Sequence, residues 1–443
     1  IPQAALRMAV RRFGLTVKTP VWRLGAITGH SIGSCERKGQ NVMMDRQPSN
    51  FDYAASARRI AAAYRRKPEG RIPIMPPIPW DPFQDADSGV FGDWRDDRDF
   101  RSLARLVSMH CDAWPSRGAV GYPKVFSRIS YQRFLEAPDE YIEELPAEKL
   151  SDTRTRHTFV LHTPKGCLKW IYGEDAGILT QWDVHRPIQS AEDVEKMLSV
   201  PYKFTPPASA GYEAFRIKRA EMGCNATGGG GVNSMVAMLC GMMEYELLLE
   251  WVLTEPSLIK LLADEWLKRN VEKVEFLLSQ RVGPYWHFNG VERASPPMMG
   301  PKQWDALVVP YDGEIMRLIK ARDPDARIHV HCHGKVRTLL DSFVEMGVDS
   351  TDPVEPYPQG DMDFGEVKRE YADKLTFFGN IEFLDMETRT PDEIESLVKH
   401  AIEDGGKNNV VLMASAGPHE KPTPKFMANA ARYIEAGLKY GAV

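Results

Sequence analysis

The sequence predicts an α/β fold: a (β/α)8 TIM barrel with an N-terminal extension and a β-rich insertion. Three observations lead there. Short β-like runs alternate with helical stretches through the second half, which implies parallel strands joined by right-handed crossovers. A chain of 443 residues, 43% hydrophobic and carrying 10 Trp, 18 Phe and 15 Tyr, can fill one large barrel core. No Gly-x-Gly-x-x-Gly opens a helix, which counts against a doubly wound open sheet.

The elements follow in chain order. Residues 1–50 form the extension. Its first 42 positions hold seven basic residues against one acid, Glu36, without the apolar stretch and cleavage pattern of a leader peptide. The extension is expected to pack little, with a native start at Met43 or Met44. Residues 51–443 form the barrel. An Ala-rich amphipathic helix over 51–67 is ended by Pro68 and Gly70. Residues 71–75, RIPIM, make a first strand. A Pro-, Asp- and Gly-rich loop over 76–94 follows, and a long loop at this point is often functional. It carries Trp80, a candidate substrate contact or loop anchor.

After a helix over 97–113, a β-rich insertion is expected around 125–200. There HTFVLHTPKGCLKWIY (157–172) alternates about a Pro-Lys-Gly turn, and Ser190 caps a short helix. The β-runs beyond are 227–236, 283–290, 326–334, 347–355, 375–382 and 408–417. Helices are expected at 240–255, 256–280, 302–321, 335–346, 363–372, 391–404 and 424–440. These six runs, RIPIM and one strand from 155–185 complete the eight.

Charge and cysteine usage exclude several classes. The net charge of −5 gives no global attraction to nucleic acid or anionic membrane. No apolar run is long enough to span a bilayer. The six cysteines (35, 111, 167, 224, 240, 332) show no CxxC spacing, which suits reduced thiols and a cytoplasmic setting.

Chemistry concentrates in Ile328-His329-Val330-His331-Cys332-His333-Gly334. Strand alternation puts His329, His331 and His333 on one face and the apolar set on the other. Barrel helices should cover the apolar set, so the histidines face inward. Inward imidazoles are costly unless they bind something or are bonded to neighbouring carboxylates. A His-x-His pair on one face is a common zinc motif, giving His331 and His333 as ligands. His419, in the last loop, is a candidate third. His329 is a candidate substrate contact. Glu355 ends the next strand, suited to ligation, to holding a histidine, or to acid–base work. His287, Asn289 and Asn380 end neighbouring strands as substrate contacts, and Glu292 is a second acid–base candidate. Cys332 is expected in the core.

These stretches carry a resemblance. From about Arg58 to Tyr440 the chain resembles the uroporphyrinogen decarboxylase superfamily. The similarity rests on ARRIAAAYRRKPEGRIPI, TPKGCLKW, VHRPIQSAEDVEKML, the long segment from HCHGKVRTLL to VEPYPQGDMDF, FFGNIE, and KPTPKFMANAARYIEAGLKYG. The resemblance implies a (β/α)8 barrel and two activities. One branch decarboxylates uroporphyrinogen without a cofactor and uses an Arg-Gln-Ala-Gly-Arg-like stretch near the N-terminus; here MPPIPWDPF stands after RIPI. The other branch resembles zinc methyltransferases that carry His-x-Cys-Gly and a distal Cys. Here His331-x-His333-Gly334 replaces the first, and His419 stands near the second. A His/carboxylate zinc site is more Lewis acidic than a thiolate one and suits polarising an ether, phenol or alcohol oxygen.

The expected function is therefore demethylation of a small methoxylated or methylated substrate, with zinc as Lewis acid and transfer to a corrinoid on a separate protein. The alternatives are a decarboxylase of a uroporphyrinogen-like or other carboxylic acid, and a metal-free small-molecule-binding barrel. A second copy of the chain is an admissible partner.

Overall fold

The computed structural model describes residues 51–80, 93–113, 132–135, 139–204, 206, 212–213, 216 and 229–443. The expected extension over 1–50 lies outside the described residues, as do 81–92 of the first long loop and the start of the expected insertion at 125–131.

Among the described residues, six parallel strands form the main sheet. They are β6 (Gly229–Asn233), β7 (Tyr285–Asn289), β8 (Arg327–His331), β9 (Ser350–Asp352), β10 (Thr376–Ile381) and β11 (Val410–Ala414). Their order is β11-β10-β9-β8-β7-β6, so each strand neighbours the next in sequence. Helical crossovers make this possible, because a parallel partner cannot be reached by a tight turn.

RIPIM continues the sheet beyond β11. Leu412 N donates to Pro73 O (2.9 Å), and Met75 N to Leu412 O (2.8 Å). Beyond it runs the segment just after the helix Arg98–His110, where Asp112 N donates to Ile74 O (2.7 Å). The chain thus supplies eight positions in the ring order of a (β/α)8 barrel. The eighth differs from expectation. Residues 142–185 form a separate antiparallel sheet: β1 (Ile142–Glu144), β2 (Glu148–Lys149), β3 (Arg154–Thr163), β4 (Gly166–Asp175) and β5 (Gln181–His185). β3 and β4 are joined by Pro164-Lys165 alone, which permits only antiparallel pairing. The position beside Ile74 belongs instead to Asp112.

Helix ends follow the sequence signals. Ser190 caps the helix Ala191–Leu198, Asp363 caps Phe364–Glu370, and Thr390 forms a capping box with Glu393. Two long helices expected from periodicity are broken. The stretch 240–255 divides into Met235–Met242 and Tyr245–Thr254, and 302–321 into Pro301–Leu307 and Asp312–Arg322. The apolar content of both stretches runs through the breaks, so periodicity could not reveal them. No helix among the described residues is long and apolar enough to cross a membrane.

Among the described residues the buried apolar side chains divide into two clusters. Ile328, Val330 and Cys332 join the large core between strands and helices. Tyr64, Met75, Tyr285, Phe378 and Val411 belong to a smaller one, drawn from four strand positions and the first helix. This second cluster is the floor beneath the polar residues at the strand ends.

One buried ion group ties the first helix to the first strand. Asp112 is fully buried; its Oδ1 accepts from Arg59 Nε (2.9 Å), and its Oδ2 from Arg71 Nη1 (2.7 Å) and Ile74 N (2.9 Å). Removing one partner of such a group leaves charges without compensation. Asp112→Ala is expected to destabilise the fold by about 3 kcal/mol, read as a lower urea midpoint with unchanged slope.

Candidate active site

The site is built on the C-terminal ends of β7 to β10. In parallel register His329 pairs with Ser350, and His331 with Asp352. Alternation then puts His329 and His331 on one face of β8, opposite Ser350 and Asp352 on β9. Side chains confirm the face. Tyr64 Oη and Ser350 Oγ lie 2.6 Å apart, and Ser350 Oγ lies 2.8 Å from His329 Nδ1. His329 Nε2 lies 2.6 Å from Asp352 Oδ1, and His331 Nδ1 lies 2.8 Å from Asp352 Oδ2.

A carboxylate only accepts, so both imidazoles donate to Asp352. His329 Nδ1 is then free to accept from Ser350, and Ser350 from Tyr64. A continuous hydrogen-bonded file runs from the aromatic floor to His331. Burial pushes the Tyr64 phenol well above its usual range, so it keeps its proton.

Above the file the pattern repeats. β8 ends at His331, and His333 lies just beyond it. His333 Nδ1 bonds Glu355 Oε1 (2.7 Å), whose other oxygen accepts from Gly334 N (2.7 Å). The His331 and His333 rings stand edge to face at 4.6 Å. In each ring Nδ1 is held by a carboxylate, and no hydrogen bond reaches Nε2 among the described residues. His287 joins from β7, its ring 5.0 Å from His329 and 6.3 Å from His331.

Charges shift accordingly. Burial alone would lower the His331 imidazole, but the Asp352 charge and hydrogen bond, helped by Glu292 and Glu355, hold it up at about 9. Burial alone would raise Asp352, but His331 and His329 hold it far below the usual carboxylate range. At neutral pH the pair is imidazolium and carboxylate. Glu382, just after β10, behaves oppositely. Burial, then the nearby charge of Glu355, pushes its carboxyl up to about 7. Its Oε2 accepts from Ser415 Oγ (3.2 Å), and its Oε1 is buried with no partner among the described residues.

One donor group has the composition of a metal site: ligand atoms of His287, His329 and Asp352 all lie within 4.8 Å of one another. Two imidazoles and a carboxylate are donors that zinc accepts with a position left open.

The remaining expected residues are placed as follows. Glu292 lies in the turn after β7, with Oε2 buried and unpartnered among the described residues and Arg293 Nε 3.7 Å from Oε1. Asn289 and Asn380 are half-buried on β7 and β10. Trp80 is buried, its ring edge-on to Phe51 at 5.1 Å. His419 is exposed on the loop after β11, where its carbonyl accepts from Leu179 N (2.7 Å); burial of part of its ring lowers its pKa. Cys332 is fully buried, and burial pushes its thiol well up.

Tyr64 and Ser350 escaped the sequence. Ser350 shares the two-residue period with Asp352, a signal that the run DSTDP offers. Tyr64 ends an Ala-rich helix 286 positions earlier and carries no local signal.

A sequence model of the family described as uroporphyrinogen decarboxylase (URO-D) matches residues 176–435, more than half of the chain. The chain belongs to the uroporphyrinogen decarboxylase family. The matched segment contains β6 to β11 and the whole histidine–carboxylate file beyond Tyr64. Among solved structures, a methyltransferase from Methanosarcina mazei is similar at 13% identity and a TM-score of 0.50, covering 88% of this chain and 100% of its own. That likeness shows the shared fold. A B12-independent methionine synthase from Shewanella sp. W3-18-1, in complex with selenomethionine, also matches, at 10% identity and a TM-score of 0.35, over 54% of this chain and 69% of its own. No curated protein matches the chain.

The His331–Asp352 pair sets a pH dependence. The raised imidazole contributes stability that is complete below about pH 6.5, the unfolded value, and is lost as pH rises through about 9. The depressed carboxyl contributes stability present above about pH 4 and lost as pH falls below that. In chelator-treated protein the melting temperature is expected to decline between about pH 6.5 and 9. Asp352→Asn should flatten that decline and move the His331 titration, followed by NMR, below its wild-type position of about 9.

Proposed function

We propose that this member of the URO-D family is a methyltransferase that demethylates a small methoxylated or methylated substrate and passes the methyl group to a corrinoid carried by a partner protein. The observation that carries the proposal is the donor group of His287, His329 and Asp352 at the strand ends, beneath two imidazoles whose Nε2 atoms have no hydrogen-bond partner among the described residues. The similar fold of a protein named as a methyltransferase supports the same activity.

We place zinc on His287, His329 and Asp352, in preference to the set His331, His333 and His419 expected from spacing, because those donor atoms are the ones gathered together. Bound there, zinc would supply Lewis acidity toward a substrate oxygen. The chain's own residues supply the rest. Asp352 holds the His331 ring through Nδ1, so the proton at Nε2 is available to the oxygen that loses its methyl group. Glu355 fixes His333 in the same way, orienting a second donor beside it. Glu382, poised near neutrality, holds a proton close to Glu355. Ser350 and Tyr64 fix the orientation of the His329 ring; zinc on Nε2 would displace its hydrogen bond to Asp352 and put the ring hydrogen on Nδ1, which would then donate to Ser350.

The test combines metal content with turnover. Elemental mass spectrometry of zinc-supplied protein should give about one zinc per chain, lost in His329→Ala and kept in His331→Ala. With cob(I)alamin as acceptor and a panel of methoxybenzenes, wild type should form methylcobalamin. His331→Ala should lower kcat by about a hundredfold or more. Absence of zinc uptake by wild type contradicts the metal assignment. Zinc uptake with equal rates in wild type and His331→Ala contradicts the proton-donor role.

A further inference from the structure

The antiparallel sheet carries a second constellation, remote in sequence from the barrel site. β3 and β4 pair His162 with Cys167 directly across the hairpin, and β1 pairs Glu143 with Val160. Two-residue alternation therefore puts Glu143, His162 and Cys167 on one face of three adjacent strands. On the opposite face Leu161 and Leu168 are buried, so a register slip would expose both. The turn is pinned as well: Thr163 Oγ1 donates to Gly166 O (2.7 Å), and Lys165 N donates to Thr163 Oγ1 (3.2 Å).

The side chains form a relay. His162 Nε2 lies 2.8 Å from Glu143 Oε2, and His162 Nδ1 lies 3.3 Å from Cys167 Sγ. The carboxylate accepts, so Nε2 carries the hydrogen and Nδ1 turns its lone pair to the thiol. This is a nucleophile, a base within reach, and a third group that orients the base. Nearby cations are Lys169 on the same face, Lys165 on the turn, bonded to Glu195, and Lys196 beside Gly166, bonded to Asp193 and Glu192. Cys167 is exposed, whereas Cys111, Cys240 and Cys332 are buried. Burial pushes the thiols of Cys111 and Cys332 well up, and that of Cys240 to about 12.

We propose that Cys167, with His162 as base and Glu143 as orienting group, is a reactive thiol that forms mixed disulfides with low-molecular-weight disulfides. In that exchange His162 takes the thiol proton and the Cys167 sulfur attacks one sulfur of the disulfide. One S–S bond forms as the other breaks. The Cys167 sulfur is oxidised, and the departing sulfur is reduced and leaves as a thiolate that collects the proton from His162. This site does not depend on the proposed methyl transfer.

The test uses the full chain and hydroxyethyl disulfide, a neutral reagent, at pH 7, with the rate read on the Cys167 peptide by mass spectrometry. That readout ignores Cys35 and Cys224, which lie outside the described residues. Cys167 in the folded chain should react at least about tenfold faster than in the same chain unfolded in guanidinium. His162→Gln should bring the rate down to the unfolded reference, and Glu143→Gln to an intermediate rate. Equal rates for folded and unfolded wild type overturn the proposal. So does a natively folded His162→Gln chain that reacts as fast as wild type.

Discussion

A buried carboxylate, Asp352, holds two imidazoles at once, and the rest of the site hangs from it. Neither oxygen is spare: one takes His329 and the other His331. A bare carboxylate at this depth would be prohibitively costly, and the imidazolium it creates on His331 repays part of that cost. The pairing also joins β8 to β9 through side chains, in addition to the ladder between their backbones.

Two of the buried carboxylates, Asp112 and Asp352, are used in opposite ways. Asp112 faces Arg59 and Arg71, whose guanidinium groups stay protonated at any ordinary pH, so that group is a fixed tie between the first helix and the first strand. Asp352 faces histidines, whose charge changes within the range where enzymes work. The same anion therefore braces one end of the chain and tunes the chemistry at the other. Glu355 repeats the second use nearer the mouth, with His333 and the Gly334 amide as its partners. Glu382, left with one unpartnered oxygen and raised toward neutrality, is the complement of Asp352: one carboxyl is held charged and the other is kept close to its proton.

Much of this was legible in sequence because strand alternation is rigid. The face shared by His329 and His331 follows from a period of two, and the covering of Ile328, Val330 and Cys332 follows with it. Partnership was harder to read. Asp352 stands among Asp349, Asp352 and Glu355, and only register chooses which of them meets His331. Asp349 instead accepts from Lys320 and from Ile328 N, outside the file. The eighth strand position was misplaced because a long alternating hairpin outweighs a few residues at a helix end. Cys111 to Ala113 show no β pattern, and Asp112 reaches its place through a carboxylate that binds two arginines. Contacts between distant elements, such as Tyr64 with Ser350, leave no periodic trace at all.

X-ray absorption spectroscopy of the zinc-loaded chain tests the central claim most directly. The account predicts a first shell of nitrogen and oxygen only, at about 2.0–2.2 Å, with imidazole scattering that weakens in His329→Ala. A sulfur shell near 2.3 Å, or a nitrogen and oxygen shell indifferent to His329→Ala, would contradict it.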